Sequence, residues 1–102
     1  MKEYAIEIQV VEGEASVCHQ VGDRFSYPAD RGEICPWLLD SMEGMIRVLL
    51  FGGTLPWRYQ GTPYEKEIDP AGVTTEFVRC PDPTERGLVV KITRTPAPEQ
   101  TQ

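Results

Sequence analysis

The sequence predicts an α+β domain: a small antiparallel sheet of about four strands covered by one amphipathic helix. Apolar residues at helical spacing fill the segment from Pro36 to Leu50, runs of alternating apolar and polar residues stand on both sides of it, and turn-rich stretches join neighbouring runs. A chain of 102 residues with 40% hydrophobic side chains is of single-domain size and buries enough surface for a core without disulfide staples. The predicted domain spans 1–95. Residues 96–102 are polar and proline-containing, with nothing to bury, and are expected to form a disordered tail.

From Tyr4 to Val11 the side chains of Tyr4, Ile6, Ile8 and Val10 share one face of a strand. Gly13 opens a break, and 21–27 turns into a short second strand that ends at Pro28 and pairs with the first. In the helix, Leu38, Leu39, Met42, Met45, Ile46, Leu49 and Leu50 form the apolar face, with Asp40, Glu43 and Arg47 opposite. Pro36 suits the first helical position, and Gly52 and Gly53 supply the backbone for a left-handed stop. Gly44 inside the helix costs up to about 1 kcal/mol relative to Ala and is read as marking the close approach of another backbone.

The segment from Thr54 to Gly72 has Pro56, Pro63 and the aromatics Trp57, Tyr59 and Tyr64 but no periodicity. It reads as a long loop, of the kind that serves as a lid or binding loop or, alternatively, is a flexible insertion. The runs 73–80 and 88–93 alternate again, and the turn-rich stretch 81–87 joins them as an antiparallel hairpin. One helix leaves part of a four-stranded sheet uncovered, so a remaining apolar face or free edge points to a homodimer.

Sixteen acidic residues against ten basic ones give a formal charge of -6, which repels phosphate backbones and anionic membrane surfaces. Nucleic acid and membrane are therefore excluded as expected partners. The start of the chain lacks the basic and apolar regions of a signal peptide, and the apolar run from Ile46 to Phe51 is interrupted by Arg47; a soluble, cytoplasmic protein is expected. Cys18, Cys35 and Cys80 cannot all pair within one chain, and a reducing compartment keeps them as thiols.

Cys35 is the sharpest candidate for chemistry. The order Cys35-Pro36-Trp37 puts its thiol at the helix N-cap, where orphan N–H groups and the positive end of the dipole favour a thiolate; the alternative is a buried cysteine serving as a small hydrophobe. His19, the one histidine, is either a solvent-facing turn residue or a general base oriented by Asp23 or Asp82. Asp82 in the turn after Cys80 also suits a turn-capping role. Cys18, His19, Cys35 and Cys80 have the stoichiometry of a structural zinc site, without the closely spaced ligand pairs that such sites use. Gly52 and Gly53, leading to Trp57, form an exit from the helix where a ligand can approach backbone closely. Phosphate-loop, dinucleotide, nucleophile-elbow and HExxH motifs are all missing from the sequence, and no cofactor is implied.

Taken together, His19 to Asp23, Cys35-Pro36-Trp37, Phe51-Gly52-Gly53 with Pro56-Trp57, and Cys80 to Pro83 resemble a widespread family of small uncharacterised prokaryotic proteins with GHxxGD, CPW, FGGxxPW and CPDP-like motifs. The likeness covers most of the chain and implies importance for these positions without implying a reaction. The chain departs from that pattern in carrying Cys18 where the pattern has Gly and in a longer segment after Trp57.

These readings converge on one expectation. The patterned turns meet at one end of the sheet, with Cys35, Cys80 and Asp82 lining a small-molecule pocket walled by Trp37 and Trp57. As an enzyme, the protein would use Cys35 as nucleophile or acid, His19 as base and Asp82 or Asp23 to orient it, on an uncharged or cationic small molecule. A non-catalytic dimeric interaction module and a small zinc-binding protein are the alternatives.

Overall fold

The computed structural model describes residues 3–16, 18–69 and 71–97. The apolar faces of the strands and the apolar stripe of the helix meet in a single layer. Along the chain run β1 (Tyr4–Glu12), β2 (Arg24–Tyr27), a 3-10 turn (Arg31–Glu33), α1 (Pro36–Leu50), β3 (Thr74–Arg79) and β4 (Val89–Pro96). The strands form one sheet in the order β2-β1-β4-β3, antiparallel at every pairing. The α+β class and the two local strand pairs are as expected; the central β1–β4 pairing joins them into one sheet.

Register explains the core. Ile8 lies opposite Ile92 and Val10 opposite Val90, and Leu38, Met42, Ile46 and Leu49 of α1 are buried over them. The same register puts Arg94 opposite Ile6 and Thr74, and Glu76 opposite Ile92, so two charged residues belong to the helix-facing layer. On the other face stand Glu7, Gln9, Arg24, Ser26, Thr75, Lys91, Thr93 and Thr95, a largely polar set in which the apolar members are Ala5 and Phe77, the latter packed against Tyr64. The leftover apolar sheet face expected as a dimer surface is therefore not found there.

The segment 54–73 folds back onto edge strand β3. Ile68 bridges Thr74, the Thr75 N–H donates to the Glu67 carbonyl at 2.9 Å, and Tyr64 meets Phe77 edge-on at 5.6 Å. Its anchor is Lys66, whose fully buried Nζ donates to Glu76 Oε2 at 2.8 Å and to the Leu55 carbonyl at 2.9 Å. This segment is a covering for a sheet edge, neither a free insertion nor a lid over the thiols.

The fold also corrects one expected limit and one expected contact. β4 continues to Pro96, paired with Tyr4, and the Ala97 N–H donates to Glu3 at 3.0 Å; the start of the expected tail belongs to the sheet, while 98–102 lie outside the described residues. Gly44 is exposed, and a Cβ built on it meets nothing within 4 Å, so no backbone from another element approaches it among the described residues. Gly13, by contrast, is required: its φ is +124° and an added Cβ would lie 2.4 Å from that of Leu88. That close approach seats the segment leading to Cys18 against the start of β4.

Candidate functional site

Three segments meet at the N-terminal end of α1: the bend after β1, the residue preceding α1, and the end of β3 with its following turn. They enclose a cavity of about 120 Å³ whose wall includes Ser16, Cys18, Cys35, Trp37, Cys80 and Asp82. The volume is well below the roughly 300–1,000 Å³ of pockets that take a whole drug-sized ligand. It accepts a group of a few heavy atoms. All three thiols are free, with Cys18 exposed, Cys35 half-buried and Cys80 buried.

Cys35 occupies the N-cap of α1 with extended backbone (φ -49°, ψ 125°), and Pro36 follows at the first helical position. Its thiol makes no capping hydrogen bond, so the N–H groups of the open helix end act on the sulfur as oriented dipoles. The Leu38 N–H lowers the Cys35 pKa most, burial opposes it, and the Trp37 N–H and the Cys18 thiol lower it further, with a net shift below the ordinary thiol value. Cys18 moves the other way, chiefly through its hydrogen bond with and the charge of Cys35. The proton of the pair therefore stays on Cys18 and the anion forms on Cys35.

His19 is placed differently from either expectation. It is buried, edge-on to Phe25 at 5.1 Å, and its Nε2 accepts the Cys35 backbone N–H at 2.9 Å. That bond uses the lone pair a general base needs, so His19 is a positioning residue that ties the bend after β1 to the start of α1. Neither aspartate orients it. Asp23 Oδ2 accepts the Gln20 N–H at 2.9 Å, and Asp82 Oδ1 accepts from the Thr84 N–H at 2.9 Å and hydroxyl at 2.7 Å. The Thr84 bonds, with Arg86 nearby, hold the Asp82 carboxyl below its usual range, which makes it a turn-fixing anion.

Trp57, Gly52 and Gly53 stand apart from this cavity. Trp37 and Phe51 are separated by about 21 Å of helix axis, and the glycines follow Phe51. Gly52 packs under Tyr4, whose hydroxyl lies 3.2 Å from where a Cβ would stand, and the Gly53 carbonyl accepts from Arg94 at 2.7 Å. The expected pairing of Trp37 and Trp57 as walls of one pocket does not occur.

Among the described residues no three His, Cys, Asp or Glu side chains are placed to hold a metal ion, so the four-ligand zinc arrangement is not assembled. Two wall residues had no motif to announce them: Ser16, whose Oγ accepts the Cys18 N–H at 3.3 Å, and Arg86, a cation beside the cavity. The only hint of Arg86 was its place in the turn after Cys80. A more open cleft of about 190 Å³ lies between Tyr59, Tyr64, Phe77 and Arg79; it contains no nucleophile. No helix among the described residues is long and apolar enough to cross a membrane. No family model matches the chain, and no curated protein or solved structure is detectably similar to it.

Proposed function

We propose that this protein carries out thiol chemistry on a small uncharged or cationic molecule, with Cys35 as the nucleophile. The observation that carries the reading is the shared cavity: Cys35 at the open end of α1, with Cys18 and Cys80 on the same wall. Helix dipole and neighbouring thiol activate Cys35, because His19 is occupied with its backbone. The acidic surface disfavours anionic substrates.

The test is alkylation of the native protein over a pH series, with each cysteine followed by mass spectrometry. Thiolate is the reacting form, so a lowered pKa keeps Cys35 reactive below the ordinary thiol value of about 8.5 and its rate falls only at more acidic pH. Cys35 is expected to react first although Cys18 is more exposed. A rate order that follows exposure, with Cys18 ahead, overturns the reading.

A second reading, association of two copies, is favoured by the solvent side of α1. Trp37, Ser41, Gly44, Val48 and Phe51 repeat at alternating four- and three-residue steps opposite the buried stripe. Trp37 is 51% and Phe51 75% exposed. Each aromatic stands seven residues from Gly44. An antiparallel pair crossing at Gly44 therefore puts Trp37 against the partner copy's Phe51-equivalent position, and Asp40 against the position of Arg47. A parallel pair would oppose like charges. Neither Asp40 nor Arg47 has an ion-pair partner among the described residues. The seam is shorter than a standard interface of about 800 Å² per partner, so a concentration-dependent dimer is expected in sedimentation velocity. Asp40→Arg should weaken association about tenfold or more, in the range of a close charge pair, and adding Arg47→Asp should restore it. A protein monomeric at millimolar concentration, or a double variant no better than the single one, sinks this reading.

A further inference from the structure

The thiols on the cavity wall are not equivalent, and the difference assigns them roles. Cys80 is buried and its backbone is fixed, with its N–H donating to the Leu88 carbonyl at 2.8 Å. Cys18 is exposed on a bend, its backbone N–H held by one 3.3 Å bond to Ser16 Oγ. The residue after it, His19, is bonded through Nε2 to the backbone of Cys35 itself at 2.9 Å. The chain is thus built to keep Cys18 within reach of Cys35 while leaving its thiol accessible.

We propose that Cys18 and Cys35 form a redox-active dithiol that reduces small disulfides, Cys35 attacking and Cys18 resolving. This rests on the reading of Cys35 as the nucleophile and adds its substrate class. In the first step the Cys35 thiolate attacks one sulfur of R–S–S–R; an S–S bond forms between Cys35 and that sulfur, the substrate S–S bond breaks, and the other half leaves as a thiolate that takes up a proton from water. In the second, the Cys18 thiol loses its proton and attacks the Cys35 sulfur of the mixed disulfide, expelling the second half as a thiol. Two electrons pass from the pair to the substrate, leaving a Cys18–Cys35 disulfide. A low-molecular-weight thiol or dithiol reduces it again by the same exchange. The cavity of about 120 Å³ holds the end of one substrate arm beside the sulfur, and Cys18 meets the mixed disulfide from the exposed side.

The test treats the reduced full-length protein with cystamine, a small cationic disulfide suited to the acidic chain, and maps the products by mass spectrometry. The native sequence should release two cysteamine molecules per chain and end with Cys18 linked to Cys35 and Cys80 free; dithiothreitol should reverse this. Cys18→Ser, a change at an exposed position, should stop after the first release and retain cysteamine on Cys35. A stable mixed disulfide on Cys35 with Cys18 still free overturns the dithiol and leaves the nucleophile intact. A product disulfide through Cys80 also overturns it. An unreactive Cys35 removes both readings.

Discussion

Glu76→Ala is expected to destabilise the domain by about 3–5 kcal/mol, the cost of stranding a buried charge. Lys66 Nζ is fully buried, and its Glu76 partner is 4% exposed at the side chain. With the carboxylate removed, the ammonium keeps only the Leu55 carbonyl at 2.9 Å and the Tyr59 ring at 5.7 Å. A small domain has a total stability of about 5–15 kcal/mol, so this single change removes a large share of it. At about 4–8 °C per kcal/mol for a chain of this size, Tm should fall by more than about 12 °C.

The double variant Lys66→Met with Glu76→Leu separates the two contributions. Replacing both partners of a buried pair by apolar residues is often neutral, so the double variant should recover most of the loss. If it unfolds as readily as Glu76→Ala, the bond to Leu55 is what holds the segment over β3. Hydrogen exchange at Thr75, whose N–H is bonded to Glu67, reports whether that segment has detached.

The second large effect is expected at Arg94. Its guanidinium is 1% exposed and donates through Nη1 to the Leu49 and Gly53 carbonyls, at 3.0 and 2.7 Å, and through Nη2 to Thr74 Oγ1 at 3.1 Å. Its face lies 4.6 Å from the centre of the Tyr4 ring. A cation here meets the negative end of the α1 dipole: Nη1 is a second donor to the Leu49 carbonyl, which also accepts the Gly52 N–H at 2.9 Å, and ties it to the Gly53 carbonyl just past the helix, while Nη2 reaches across to β3. Nε is the one buried side-chain nitrogen or oxygen among the described residues without a hydrogen-bond partner. Arg94→Met keeps the bulk and removes the donors. It should cost about 2–4 kcal/mol, measured as a lower urea midpoint: hydrogen bonds from a charged donor contribute about 1.5–3 kcal/mol each, but the Leu49 carbonyl and Thr74 Oγ1 keep their bonds to Gly52 and Asp69. Arg94→Lys should rescue little, because one ammonium cannot reproduce the fork. A loss below about 1 kcal/mol for Arg94→Met would mean that water replaces the guanidinium at the helix end.

These two residues mark where reading the chain alone ran out. The apolar spacing located α1 at Pro36–Leu50, as observed, because helical periodicity is a local property that needs no knowledge of partners. Alternation likewise puts Glu76 on the same strand face as Val78. What local pattern cannot state is which strand lies opposite, and it is the β1–β4 pairing that turns the Arg94 face inward. Lys66 had no periodic context, so nothing in its neighbours marked it as buried.

The site divides in the same way. Cys35 was legible, since a cysteine immediately before Pro36 at a helix start is an N-cap by local rules. Its partners were not. Cys18 and Cys80 come to the same cavity through the hairpin turns flanking the sheet, and His19 turns inward through a bend that alternation, which sends neighbouring side chains to opposite faces, does not describe. Trp57 lies outside the cavity that Trp37 lines; six extended residues after Phe51 could span about 20 Å, so it is the path of the chain after α1, and not the motif, that keeps the two apart.

By itself, then, the sequence determined the elements, their apolar faces and the position of a cysteine at the helix N-terminus, all of which depend on residues within a turn or two of one another. Only the tertiary structure decided that three thiols share one wall, that the histidine holds backbone instead of moving protons, and that Lys66, Glu76 and Arg94 are buried. These depend on contacts between residues far apart in the chain, where register and burial convert an ordinary surface charge into a paired internal one.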